Sequence, residues 1–346
     1  MCQSFQMTPG FSKEEYAELL RVSTRQSDSL YNPLLPAPRY FERKYRSSTL
    51  GLDNRWELWV SSDSIAAISI RGTTLKLESW VENFFAAMLP AEGTLTMSQE
   101  AIYPYKLSND KRASVHAGWL IGSVSIFQDL LPRIDSCMAE GIHDFYIVGH
   151  SQGGAIAYLL TSLLHHLKQD QPKYDSIAIK TYASAAPKPG NLYYAYEFEA
   201  LTQAGWAFNV VNSADWVPEG PFSIQTTDDY NTLNPFKYAD EAISNLSFPK
   251  NIVLKHFYNK LDKPTKKARD RFNKHLGEHM VKQVQRYLPN SSILTFNESS
   301  NYVRVGQTIV LFADEEYFKE FPNNDGEIWQ HHKFEAYFYL LERLAL

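Results

Sequence analysis

The chain predicts an α/β fold, a mostly parallel sheet covered by helices, on three observations. Apolar segments of helix length and strand length alternate from residue 117 to residue 211. A glycine-framed serine, in Gly149-His150-Ser151-Gln152-Gly153, stands where one such strand gives way to a helix. The 346 residues are 44% apolar and 21% charged, ordinary values for a chain with a buried core. Single cores seldom grow past about 250–300 residues, so one core carrying extra elements is expected.

The elements follow in order. Residues 12–25 predict a helix with Tyr16, Leu19 and Leu20 on one face, and the proline-rich stretch 31–40 predicts a loop. Residues 56–60 and 65–70 read as consecutive strands split by the turn cluster Ser61-Ser62-Asp63-Ser64. Helical spacing runs from Leu77 to Met88, and residues 90–113 look irregular. Leu120, Val124, Phe127, Leu130, Leu131 and Ile134 give 117–139 a helical stripe. The short apolar run Phe145–Val148 suits a strand buried on both faces. A helix over 155–167 and strands over 177–183 and 208–211 complete an alternation that implies a parallel sheet. After about residue 222 the alternation stops. Residues 223–300 are mostly helical and polar, with a helix from about 263 to 288; a strand over 305–312 and a helix over 328–346 end the chain. The expected organisation is a core of 1–222 and 301–346 with 223–300 inserted.

Bulk charge excludes some functions. The net charge is −5 with no long block of one sign, so no nucleic-acid partner is expected. The basic residues between Lys260 and Lys274 read first as a solvated helix face and second as a membrane-surface or acidic-partner patch. Cys2 and Cys137 make no disulfide framework or metal cluster, although Cys2 would bear a lipid if it began a mature lipoprotein. No apolar run reaches about 18 residues, and the first residues lack the apolar core of a signal peptide. The expected location is cytoplasmic, or extracytoplasmic if a signal has been removed; oligomeric state is not legible.

The chemistry sits at Ser151. A nucleophilic serine on a tight strand-to-helix turn is strained and tolerates nothing large two residues away, which Gly149 and Gly153 satisfy and Gly154 reinforces. The turn lifts the hydroxyl above the sheet and aims a helix N-terminus at the reacting carbonyl. The alternative is a glycine-rich turn holding a buried serine.

At this point the sequence resembles the class 3 lipase family, the fungal triacylglycerol lipases and their plant and bacterial relatives. Six segments agree in order. Ile70-Arg71-Gly72-Thr73 with Trp80 looks like that family's oxyanion strand and loop, and Val115–Trp119 like the opening of its helix before the elbow. The elbow continues as Gly153-Gly154-Ala155. Tyr182–Gly190, Val211–Pro218, and His332 with Phe334 and Tyr337 look like the following strand, the acid segment and the histidine segment. The likeness covers roughly 48–222 and 303–341. It implies an α/β-hydrolase fold and ester hydrolysis without a cofactor. Gln152 stands where leucine is commonest, which alters polarity at the oxyanion site. Residues 223–300 match no segment of it.

Serine is a weak nucleophile without a base, and the base needs a carboxylate to orient it. In this fold the order is serine, acid, histidine. Asp215 follows the strand 208–211 and is the expected acid; Asp228, Asp229 and Asp240 lack a preceding strand. Of His331 and His332, the family spacing selects His332. The oxyanion donors expected are the backbone N–H of Gln152 and Thr73, the latter by its N–H or its hydroxyl.

Two other functions compete. His275-Leu276-Gly277-Glu278-His279 fits the inverted zinc-peptidase pattern, but Gly277 weakens a helix by about 1 kcal/mol, no third ligand follows, and the run is basic. A lipase-like scaffold that binds a partner without catalysis is the other. The expected partner is a lipid or small ester substrate, with transient contact to a lipid surface. The insertion is a candidate cap, with Phe222, Phe236, Phe248, Phe257 and Tyr258 as residues for its underside.

Overall fold

The computed structural model describes residues 6–26, 35–292 and 295–345. Cys2 and residues 31–34 of the expected loop, Pro33 among them, lie outside the described residues. Helix α1 (Lys13–Ser23) is capped by Ser12, whose Oγ accepts the Glu15 N–H at 3.2 Å. Strands β1 (Phe41–Arg46), β2 (Trp56–Ser61) and β3 (Ile65–Ile70) pair antiparallel in sequence. Then come α2 (Leu77–Phe84), β4 (Met88–Pro90), β5 (Glu92–Thr96), β6 (Ile102–Lys106), β7 (Ser114–His116) and α3 (Ala117–Ala139). The parallel half alternates β8 (Asp144–His150), α4 (Gln152–Asp170), β9 (Ala178–Ser184), β10 (Gly190–Asn191), α5 (Leu192–Leu201) and β11 (Ala207–Asn212). Three further helices, α6 (Ala239–Ser244), α7 (Lys250–Asn273) and α8 (His279–Tyr287), precede β12 (Tyr302–Val303), β13 (Gln307–Leu311), α9 (Glu315–Glu320) and α10 (Phe334–Arg343).

The main sheet has the order β1-β2-β3-β8-β9-β11-β13, parallel from β3 onward. Side chains alternate across it. Ile68, Phe145 and Ile147 pack beneath α3, α4 and α5, whereas Tyr146, Val148, Tyr182 and Phe208 pack against α1 and α10. The sheet therefore lies between two helical layers, each with its own core. Strand β3 is buried along its whole length, which is why no polar alternation marks it in sequence. The expected mixed, mostly parallel α/β-hydrolase sheet is the sheet observed.

Four stretches differ from expectation. The helix from Leu77 stops at Phe84, because the backbone of 85–87 is used elsewhere: Phe85 O accepts Gly118 N–H, Ala87 O accepts Ala117 N–H, and Ala87 N–H donates to Leu276 O. Residues 90–113 contain the β5–β6 hairpin, which buries only Leu95 and Tyr105. The helix expected from 263 begins at Lys250, runs through Pro264 and loosens into a π turn at Lys274–Glu278. Gly277 belongs in that turn because a Cβ there would stand 2.6 Å from Ala87 Cβ. The final helix starts at Phe334, after a short 3₁₀ turn over Gln330–His332.

Candidate active site

Ser151 stands between β8 and α4 with φ 62° and ψ −132°, a region that residues with a Cβ avoid. The glycines show what holds it there. A Cβ on Gly149 would meet Gly153 C at 2.2 Å, one on Gly153 would meet Ile70 O at 2.4 Å, and one on Gly154 would meet Ala186 Cβ at 2.7 Å. On the facing loop, a Cβ on Gly72 would approach His150 O to 2.9 Å. Strand ends, elbow and loop are thus pressed together with no room for side chains. Gln152 is the first residue of α4, so its N–H has no partner within the helix.

Asp215 lies just past β11 and is buried. Its Oδ2 accepts from His332 Nδ1 at 2.7 Å and from the Tyr337 hydroxyl at 2.9 Å, while Oδ1 accepts the Val217 N–H at 3.0 Å. Tyr337 is anchored in turn by the Asn212 N–H at 3.1 Å. Ser151, Gln152, Thr73 and His332 line one cavity of about 1420 Å³, above the roughly 300–1,000 Å³ of ordinary small-molecule sites. His331 points elsewhere: its Nδ1 meets the Tyr317 hydroxyl and its Nε2 meets Asn323 Oδ1, both at 2.8 Å.

His150, the elbow residue before Ser151, contacts His332. Its Nε2–H donates to the His332 carbonyl at 2.8 Å, and its Nδ1 then accepts from the Ser184 hydroxyl at 2.9 Å; Tyr16 OH meets the same hydroxyl at 2.7 Å. Burial drives the pKa of His150 well below the ordinary imidazole value, so it stays neutral beside the other ring. The signal available in sequence was only its place inside the elbow.

The loop that carries Thr73 is tied to the elbow by side chains. Gln152 Oε1 accepts from Thr73 Oγ1 at 2.9 Å and from Ser79 Oγ at 3.1 Å, and Thr73 Oγ1 accepts from Asn83 Nδ2 at 2.9 Å. The Thr73 hydroxyl proton is therefore committed to Gln152, so the hydroxyl has no proton left to donate elsewhere. The glutamine that replaces the commoner leucine thus has a structural part: it fixes the loop. Behind this network Glu82 is fully buried, hydrogen-bonded by Asn54 Nδ2 at 2.7 Å. Burial pushes its carboxyl up to about 8; the Asn54 hydrogen bond opposes the rise and the nearby Asp53 charge adds to it.

The cavity wall is mostly apolar. Leu75, Trp80, Phe84, Trp216, Phe222 and Trp329 form much of its rim, and the Trp329 ring lies 4.9 Å from Trp216 and 5.7 Å from His332. Of the five aromatics expected beneath a cap, Phe222 borders the cavity. Phe236, Phe248, Phe257 and Tyr258 are not on its wall, where the insertion contributes Phe272 and Leu276 instead. The reason is geometric: α7 reaches the wall only at its C-terminal end, and its earlier turns run outward.

The zinc-peptidase pattern does not assemble a site. His275 and His279 lie 5.0 Å apart, exposed, in and after the π turn. Among the described residues no three His, Cys, Asp or Glu side chains are grouped to hold a metal ion.

Sheet order and a strained serine at a β-to-α elbow make this an α/β-hydrolase fold. The family model described as Lipase (class 3) matches residues 67–224, the segment from β3 through the Thr73 loop, the elbow and Asp215, in agreement with the resemblance read from the motifs. A curated relative, Lipase ZK262.3 of Caenorhabditis elegans, is 35% identical over 81 residues, covering 23% of this chain and 21% of its own; the chain spans about a fifth of the relative it matches. Among solved structures, a triacylglycerol lipase of Penicillium expansum is similar at 18% identity over 60% of this chain and 70% of its own, with a TM-score of 0.43. The Lip2 lipase of Yarrowia lipolytica is similar at 18% identity over 63% and 78%, with a TM-score of 0.46.

Proposed function

We propose that this protein is a serine hydrolase of carboxylic esters with apolar acyl groups, lipid esters above all. The observation that carries the reading is the 2.7 Å Asp215–His332 hydrogen bond on the same apolar-walled cavity as the strained Ser151. In this reading Ser151 Oγ attacks the ester carbonyl while His332 Nε2 takes its proton. The tetrahedral oxyanion is met by the N–H groups of Gln152 and Thr73. Collapse expels the alcohol, which leaves with the proton from His332, and an acyl-enzyme remains. Water, deprotonated by His332, then releases the acid. Asp215, held by Tyr337 and the Val217 N–H, fixes the His332 tautomer with Nε2 free to accept.

The substrate class follows from the wall. A cavity rimmed by tryptophan, phenylalanine and leucine favours an acyl chain by the area it removes from water, about 25 cal/mol per Å². A panel of p-nitrophenyl esters of graded length tests both parts. Turnover should require Ser151 and fall by about 10⁴-fold or more in a folded Ser151→Ala protein. Wild-type turnover in that variant would overturn the serine assignment; a flat chain-length profile would overturn the lipid assignment.

A further inference from the structure

Helix α7 leaves the catalytic core with an apolar face open. Three faces run along it. Tyr258, Asp262, Lys266 and Arg269 form the anchoring face: Tyr258 OH reaches Phe236 O, Asp262 accepts from Thr227 Oγ1 at 2.5 Å, and Lys266 and Arg269 pair with Asp228 at 2.9 and 2.7 Å. A second face carries Val253, Phe257 and Leu261, four residues apart and therefore one above the other. That stripe continues through Ala268 to Phe272, which is buried and borders the cavity. Toward the helix start the stripe is open among the described residues: Val253 is 50% exposed, Phe257 60% and Leu261 73%. Beside the stripe, on the side away from the anchor, stand the exposed Lys260, Lys263 and Lys267.

Charge selects the occupant. Lys250–Asn273 holds eight lysines and arginines against two aspartates, a local charge of +6 within a chain of −5. A second copy paired symmetrically would bring the same basic face to the contact, so like charges would meet around the apolar pairing. An anionic lipid surface offers what the face lacks: hydrocarbon for the stripe and negative headgroups for lysines whose stems can snorkel along it. No helix among the described residues is long and apolar enough to cross a membrane, so the contact is one that lies on the surface.

We propose that the outer half of α7 docks this protein on anionic lipid surfaces, with Val253, Phe257 and Leu261 entering the headgroup–acyl boundary and Lys260, Lys263 and Lys267 contacting headgroups. This goes beyond ester hydrolysis, since binding is measured without turnover. It also gives the stripe ending at Phe272 a direction, from the lipid surface to the cavity wall.

The test is sedimentation of the full chain with phosphatidylcholine vesicles, with and without about a third phosphatidylserine. The protein should bind the anionic vesicles and release as ionic strength rises. Phe257→Asp with Leu261→Asp, and separately Lys260→Glu with Lys263→Glu, should each weaken binding by about tenfold or more, with turnover of a short soluble ester unchanged. Ser151→Ala should bind as the wild type does, so failure of the hydrolase reading and failure of docking give different patterns. Absence of binding to anionic vesicles, binding that both double variants retain, or equal binding to pure phosphatidylcholine would each overturn the proposal. So would concentration-dependent dimerisation that Phe257→Asp abolishes, which would make a second copy the occupant.

Discussion

Glu82 lies behind the network that joins Gln152 to Thr73 and Ser79, and its burial makes stability depend on pH in a calculable way. Its folded-state value is raised from 4.5 to about 8. A carboxyl whose value is raised on folding holds its proton more tightly in the folded state. Its stability is fully present below 4.5 and is lost as pH climbs to about 8, beyond which the loss is complete. Each pH step inside that window is worth about 1.4 kcal/mol, so the full loss is on the order of 5 kcal/mol and the part between pH 6 and pH 9 is about 3 kcal/mol. Glu82→Gln keeps the shape and an acceptor for Asn54 Nδ2, and Gly122 leaves space where a Cβ would stand 2.4 Å from Glu82 Oε1. Urea unfolding followed by tryptophan fluorescence at the two pH values should show the wild type losing about 3 kcal/mol more than the variant between pH 6 and pH 9. Equal losses in the two proteins would refute the reasoning, because they would mean that Glu82 is already ionised, or already hydrated, in the folded protein.

Five further substitutions read the site. Tyr337→Phe removes one donor from Asp215 Oδ2 and leaves the Asn212 N–H unpaired; it should lower stability by about 1–3 kcal/mol and turnover by about tenfold, and turnover at the wild-type level would show that Asp215 does not need it. Gln152→Leu strips the acceptor shared by Thr73 and Ser79, so kcat should fall by about tenfold with little change in KM, whereas a rise in KM alone would place the glutamine in substrate binding. His332→Ala should match Ser151→Ala in its loss of turnover, Asp215→Asn should be severe but less complete, and His331→Ala mild; an essential His331 would reverse the assignment of the base.

The sequence by itself determined the parallel half of the sheet and the elbow. Strands β8, β9 and β11 are apolar runs at regular spacing, and Gly149, Gly153 and Gly154 record a steric demand that any chain folding this way must meet. It also marked Asp215, because a carboxylate directly after a strand is carried to the end of the sheet. Local preference was silent where backbone groups found partners far away. Phe85–Ala87 have helical spacing but hydrogen-bond to 117, 118 and 276, and the β5–β6 hairpin buries too little to show a pattern. The tertiary structure alone decided which side chains share a hydrogen bond. Gln152 meets Thr73 and Ser79, His150 meets the carbonyl of His332, and Tyr337 joins His332 on one oxygen of Asp215. It decided, too, that α7 touches the cavity at Phe272 and leaves Phe257 in solvent. A helix's periodicity states that it has an apolar face; where that face points depends on what the rest of the chain sets beneath it.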